Sequence, residues 1–168
     1  MKSGEVIMDR KITIVDVKKE YIEKAGDIAI KAWTPIREEF RRILGDELYE
    51  PFFNNWQEPK RRSITSSLEK ARGFIALVDG VVAGFIFYTK DEASNTAQIG
   101  GMEVDSDFKG LGLGKKLCNH ALEQMRLDGM LYATVTTGLD DAHAPARHTY
   151  ESVGFEKNLP SVKYYMNL

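Results

Sequence analysis

The sequence predicts an α/β fold of the α+β type: a mixed, mostly antiparallel sheet of about six or seven strands, with helices on both faces. Three observations carry this. Residues 74–78 and 81–89 read as apolar strands joined by Asp79-Gly80, the two-residue turn that hairpins favour. A strand over 96–104 leads into the glycine-rich turn Lys109-Gly-Leu-Gly-Leu-Gly114. The helix that follows carries Leu113, Leu117, Ala121 and Met125 on one stripe, with Leu122 beside them. A strand over 131–137 then alternates with a helix over 143–153. Hairpins followed by helical crossovers require antiparallel and parallel pairing in one sheet, covered by helices.

The remaining elements follow in order. Ile12, Ile14 and Val17 predict a first strand over 12–16. Ile22, Ala25, Ala29, Ala32 and Trp33 recur at helical spacing, which predicts a helix over 18–33 interrupted by Pro35. A second helical segment over 37–44 ends at Gly45, a residue suited to a helix C-cap. Residues 46–72 predict short helices, with Ile64 and Leu68 on one face. Gly100-Gly101 inside a strand predicts a bulge, or the close approach of a backbone or ligand. Asp128-Gly129 ends one helix and Gly154 another, and Phe155 leads to a final strand pair ending near 162–167.

Bulk properties narrow the class. The chain has 168 residues, with 43% hydrophobic and 29% charged, and no repeat or low-complexity linker divides it; a single domain over 1–168 is expected. Twenty-three Lys and Arg against 25 Asp and Glu create no strong field toward nucleic acid or membrane, and neither partner is expected. Cys118 is the sole cysteine, which excludes an internal disulfide and any cysteine metal cluster. Residues 1–10 carry Glu5 and Asp9 and no long apolar stretch, so neither a secretory signal nor a membrane span is expected. A soluble, cytoplasmic protein is the expectation; a homodimer is left open.

The glycine turn carries the chemistry. Three glycines in five residues, between a strand and a helix start, let successive amide N–H groups converge on an anion. The helix dipole and the charges of Lys115 and Lys116 add to that attraction, so a phosphate or pyrophosphate is the natural guest. A Walker loop fails, because Lys109 stands at its opening position and Lys116 where Ser or Thr belongs. The dinucleotide fingerprint fails on glycine spacing. A plain flexible turn into a helix is the alternative.

Two segments together resemble the GNAT acetyltransferase superfamily. Its pyrophosphate loop reads Arg/Gln-x-x-Gly-x-Gly/Ala after a strand, and this chain has Lys109-Gly110-Leu111-Gly112-Leu113-Gly114 after Met102-Glu103-Val104. The family's second signature, Asn-x-x-Ala-x-x-x-Tyr-Glu-x-x-Gly-Phe, is met by His143-Ala-Pro-Ala146-Arg-His-Thr-Tyr150-Glu151-Ser-Val-Gly154-Phe155. Lys109 replaces Arg or Gln, and His143 replaces Asn, as in a branch of the family with His-Ala-Pro-Ala-Arg at this point. The likeness runs from about residue 74 to the C-terminus.

The resemblance implies acetyl-CoA as cosubstrate, no metal, and transfer of its acetyl group to an amine. It implies cofactor contacts from the backbone of Met102 and Val104, from Lys109, Gly110, Leu111, Gly112, Leu113, Gly114 and Lys115, and from His143 near the pantetheine arm. It makes Tyr150 the general acid for the departing thiolate; by helical position alone Tyr150 reads as a packing residue. Glu103 is the candidate base. Its alternation with Met102 and Val104 leaves open which face it takes, and Gln98 is a candidate to hold a water. Arg147 and His148 read as phosphate neighbours or as solvated surface, and Cys118 as a buried inert thiol.

The amine side is expected among the early helices. Trp33, Phe40, Tyr49, Phe52, Phe53 and Trp56 concentrate there with Glu38, Glu39, Asp46 and Glu47, a mixture able to receive a cation. Arg41-Arg42 and Lys60-Arg61-Arg62 read as solvated helix surface. A silent acetyl-CoA sensor and a generic nucleotide-phosphate binder are the competing classes.

Overall fold

The computed structural model describes residues 10–168; the N-terminal segment read above as lacking a secretory signal lies almost wholly outside them. Five strands form one sheet in the order β1-β2-β3-β4-β5: β1 Ile12–Asp16, β2 Arg72–Val78, β3 Val81–Asp91, β4 Thr96–Val104 and β5 Tyr132–Val135. The first four pair antiparallel, and β5 joins β4 in parallel. Helices α1 Lys19–Phe53 and α2 Gln57–Lys70 cover one face, and α3 Leu113–Leu127 and α4 Ala144–Ser152 the other. Asp79 and Gly80 both hold positive φ at the β2–β3 turn, as its tight geometry requires.

Each face has its own apolar core. Ile22, Ala25, Ile28 and Ala29 of α1, with Ile64 and Leu68 of α2, pack on Ile75, Val82, Phe85 and Phe87. On the other face, Leu113, Leu117, Cys118, Ala121 and Met125 of α3 meet Phe74, Ile86, Tyr88, Ala97 and Ile99. The helical stripe and the strand alternation therefore meet as the patterning requires.

Two expectations are corrected. Pro35 does not interrupt α1, which continues through it and leaves helical geometry only at Gly45 (φ 72°, ψ 163°). Proline removes one N–H donor, and that loss does not end the helix here. The final strand pair does not form, so among the described residues the sheet has five strands rather than six or seven. Leu159, Val162, Tyr164 and Met166 are exposed and Pro160 lacks an N–H, so no apolar face drives this segment onto the edge beside β5. The tail instead reaches the end of α1, where Tyr165 packs on Phe52 and Phe53, and Asn167 Nδ2 donates to Glu47 Oε1 at 2.7 Å.

The paired glycines of β4 make a bulge. Phe87 pairs with Gly101 and Tyr88 with Ile99, leaving Gly100 as the extra residue. A Cβ at Gly100 or Gly101 would strike the Phe87 ring, which lies against both. The bulge reverses the alternation of the strand. Met102 and Val104 thus share the α3 face with Ala97 and Ile99, and Glu103 turns toward α1 and α2.

Candidate active site

The sheet opens where β4 ends. Pairing between β4 and β5 covers only Thr96–Tyr132 to Ile99–Val135, although β4 runs on to Val104. Pairing stops at Ile99–Val135, where β5 itself ends, so the β4 edge from Gly100 to Val104 has no β5 partner. Backbone donors and acceptors on such an edge are free to bind an extended amide-bearing ligand.

The glycine turn sits at the end of this edge. Gly110 (φ 82°) and Gly112 (φ 67°) both lie in the left-handed region, and nothing stands within 4 Å of where a Cβ would be on either. Gly112 is the N-cap of α3, so the first-turn amides of Leu113, Gly114 and Lys115 point outward beside the positive end of the helix. A Cβ on Gly114 would meet Thr149 of α4 at 3.4 Å, which brings α4 over the start of α3. Asp105 anchors the approach to the turn: buried, it accepts from Lys31 Nζ at 2.5 Å and from the Asp107 amide at 3.1 Å. Burial alone would raise its pKa, but these bonds and the charge of Lys24 hold it below the usual range.

Tyr150 is buried against the α3 core, with Phe155 edge-on to its ring at 6.0 Å. Burial, and after it neighbouring Cys118 and Glu103, hold its phenol well above the usual tyrosine range. The phenol is therefore protonated at physiological pH. Cys118 is fully buried, its thiol pushed up to about 12 by burial, and it contacts Met102 Sδ at 3.3 Å. A thiol so placed is inert.

Glu103 is buried on the opposite face of β4. Its Oε1 accepts from Trp33 Nε1 at 3.0 Å, with Lys60 Nζ at 3.8 Å, and its Oε2 is buried without a partner. Burial raises the Glu103 pKa against the opposing pull of Lys60 and Trp33, and burial likewise lowers that of Lys60. Glu103 bears on the phenol of Tyr150 although the two side chains approach from opposite faces. Gln98 is exposed.

His143 lies at the start of α4, its Nδ1 2.7 Å from Asp140 Oδ2. Its ring stands 6.0 Å from that of Trp33 and 6.3 Å from that of Phe40. Arg147 donates to the carbonyls of Gly138 (2.6 Å) and Asp140 (2.7 Å), so it braces the loop that holds Asp140. His148 is exposed.

The charge expected among the α1 aromatics is inverted. Glu39 pairs with Arg42 and Asp46 with Arg41, while Glu47 receives Asn167. The charge inside the cluster is the Arg37 guanidinium, ringed by Trp33, Phe40, Phe53 and Trp56 at 4.7–5.5 Å. Lys60, read as solvated surface, lies 3.7 Å over the Trp33 ring. The signal for Arg37 was its i+4 step from Trp33 and i−3 step from Phe40 on one helical stripe. Nothing local announced Lys60, because its partners come from α1 and β4.

Residues 37–155 match the family described as the acetyltransferase (GNAT) family. The chain belongs to this family. The GNAT relatives include the N-acetylaspartate synthetase of Rattus norvegicus, 35% identical over 82 residues, 49% of this chain and 27% of that protein. The mycothiol acetyltransferase of Thermomonospora curvata is 28% identical over 169 residues, 98% of this chain and 56% of that protein. The chain thus spans about a quarter of the first relative and just over half of the second. Among solved structures, the PaiA N-acetyltransferase from Thermoplasma acidophilum in complex with coenzyme A superposes with a TM-score of 0.68 at 18% identity, covering 92% of this chain and 96% of that one. The aminoglycoside N-acetyltransferase AAC(6')-Iy in complex with CoA gives 0.59 at 17% identity, covering 98% and 100%. These structures share the GNAT fold of this chain.

Proposed function

We propose that this chain is an acetyl-CoA-dependent N-acetyltransferase acting on a primary amine by direct attack, with Tyr150 as general acid and Glu103 as base. The observation that carries the reading is the β4 edge left without a β5 partner beyond Ile99, with the glycine turn at its end and Tyr150 and Glu103 on either side. The residues present fit the cosubstrate. The cradle over Gly110 and Gly112 is open, the amides of Leu111, Leu113, Gly114 and Lys115 are available for a pyrophosphate, and Lys109 and Lys115 supply charge. The free backbone of Met102 and Val104 suits the amides of a pantetheine arm.

When bound, acetyl-CoA supplies an activated acetyl group and a thiolate leaving group. The chain's residues manage protons. Glu103 Oε2, buried and unpartnered, takes a proton from the incoming ammonium, for which its raised pKa makes it a better base than an exposed carboxylate. Tyr150 Oη, kept protonated by burial, donates to the leaving sulfur. A main-chain amide of the unpaired β4 edge polarises the reacting carbonyl. Trp33 and Phe40 bound the acceptor side, and His143 beside their rings lies where the acceptor side meets the pantetheine arm.

The test is free-thiol release from acetyl-CoA against a panel of amines, run beside a CoA-binding titration. Amine-dependent thiol release is the expected result. Tight CoA binding with no turnover of any amine overturns the enzyme reading in favour of a sensor.

A further inference from the structure

The arginines of α1 and α2 follow one rule with one exception. Arg41 bonds Asp46 and Glu50, Arg42 bonds Glu39, Arg61 bridges Glu23 and Asp27, and Arg62 pairs with Glu58. Among the described residues no carboxylate pairs with Arg37, and its buried Nε has no hydrogen-bond partner. The aromatic rings around it satisfy the faces of the guanidinium but not its in-plane N–H groups. An unpaired, partly buried guanidinium is costly in a folded protein, and planar oxyanions are the ligands that its fork matches.

A second cation lies close by. Lys60 stands between Trp33 and Glu103, and Arg37 and Lys60 are near enough to repel one another. Glu103, the carboxylate beside Lys60, is already held by Trp33 and Lys60, and Asp140, the acid nearest these rings on the other side, is taken up by His143. This side of the opening therefore carries an excess of positive charge inside aromatic walls, the reverse of what a polycationic amine would need.

We infer that the acceptor is an amine that also carries a carboxylate, such as a free amino acid, with its carboxylate on the Arg37 fork and its amino group directed to Glu103. The order of contacts supports this: Arg37 stacks on Trp33, and Trp33 donates to Glu103, so one indole separates the anion site from the base. Lys60 keeps Glu103 from repelling the incoming carboxylate. The inference rests on the acetyltransferase reading of the same site.

The experiment compares acceptors that differ only at the carboxylate, glycine against glycinamide and L-alanine against L-alaninamide and ethylamine, with spermidine as the polycation. Thiol release gives kcat/KM for each, and calorimetry on the CoA-loaded protein gives binding without turnover. The expected result is at least a tenfold preference for the carboxylate member of a pair. In Arg37→Met that ratio falls toward one through a raised KM, and Arg37→Lys, which keeps charge without the fork, falls between. Circular dichroism and CoA titration of both variants separate this from misfolding. Equal or better turnover of amides, ethylamine or spermidine overturns the inference and leaves acetyl transfer standing. Arg37-dependent binding of amino acids with no turnover upholds the anion site and overturns the transferase reading. Amino acids that neither bind nor turn over overturn the inference outright.

Discussion

Trp33 Nε1 donates to Glu103 Oε1 at 3.0 Å, a bond between α1 and β4 that spans 70 positions of sequence. It joins the aromatic wall of the acceptor side to the unpaired edge of the sheet. Trp33→Phe keeps most of the ring and removes the donor. A hydrogen bond to a buried charged group contributes about 1.5–3 kcal/mol, and a loss of that order is expected in urea unfolding at neutral pH. Because Trp33 holds the Glu103 pKa down, its removal raises that pKa further, and the deficit narrows as acid neutralises Glu103. A variant as stable as wild type at neutral pH would show the bond to be energetically idle.

Tyr150→Phe removes one oxygen and keeps the ring that packs on Phe155. Folding and CoA affinity should survive, and single-turnover rates at saturating acetyl-CoA should fall by roughly one to three orders of magnitude. A rate equal to wild type in a chemistry-limited assay would return Tyr150 to a packing role.

Glu103 sets the acid side of the pH profile. A base must be ionised to act, so kcat/KM should rise with pH through the Glu103 pKa. Burial places that limb above the ordinary carboxylate value of 4.5. Glu103→Gln should lose the limb and about two to four orders of magnitude in rate. An unchanged acid limb in the folded variant would assign the base elsewhere, with His143 beside Asp140 the next group to replace. The stability sign follows from the same shift. Ionised Glu103 costs folding free energy above its folded pKa, and that cost disappears as pH falls through the folded value toward the unfolded one.

Gly112→Val tests the cradle. The position holds φ 67° with open space around it, so the cost is backbone strain rather than a clash, of order 1–2 kcal/mol or more for a β-branched side chain. The fold should persist, and CoA affinity measured by calorimetry should drop tenfold or more. Unchanged affinity would remove the turn from the site.

The sequence by itself determined the local elements. Asp79-Gly80, the α3 stripe and the Gly110–Gly114 turn are each written in a few consecutive residues, because turn chemistry and helical periodicity act over one or two turns of chain. It also marked Gly45 as the end of a helical run. Tertiary structure decided what faces what. A single extra residue, Gly100, reverses the alternation of β4. Strict alternation would have set Glu103 on the Ile99 face, whereas it points to Trp33 and Lys60. The sign of charge inside the aromatic cluster was likewise invisible: Glu39 and Asp46 are drawn off by neighbouring arginines, while Arg37 is left among the rings. The C-terminal residues joined α1 instead of the sheet because Tyr165 found Phe52 and Phe53. The glycine pair marked a bulge in the chain, but which face that bulge gave Glu103, and which distant segments pair, are properties of packing that no local pattern encodes.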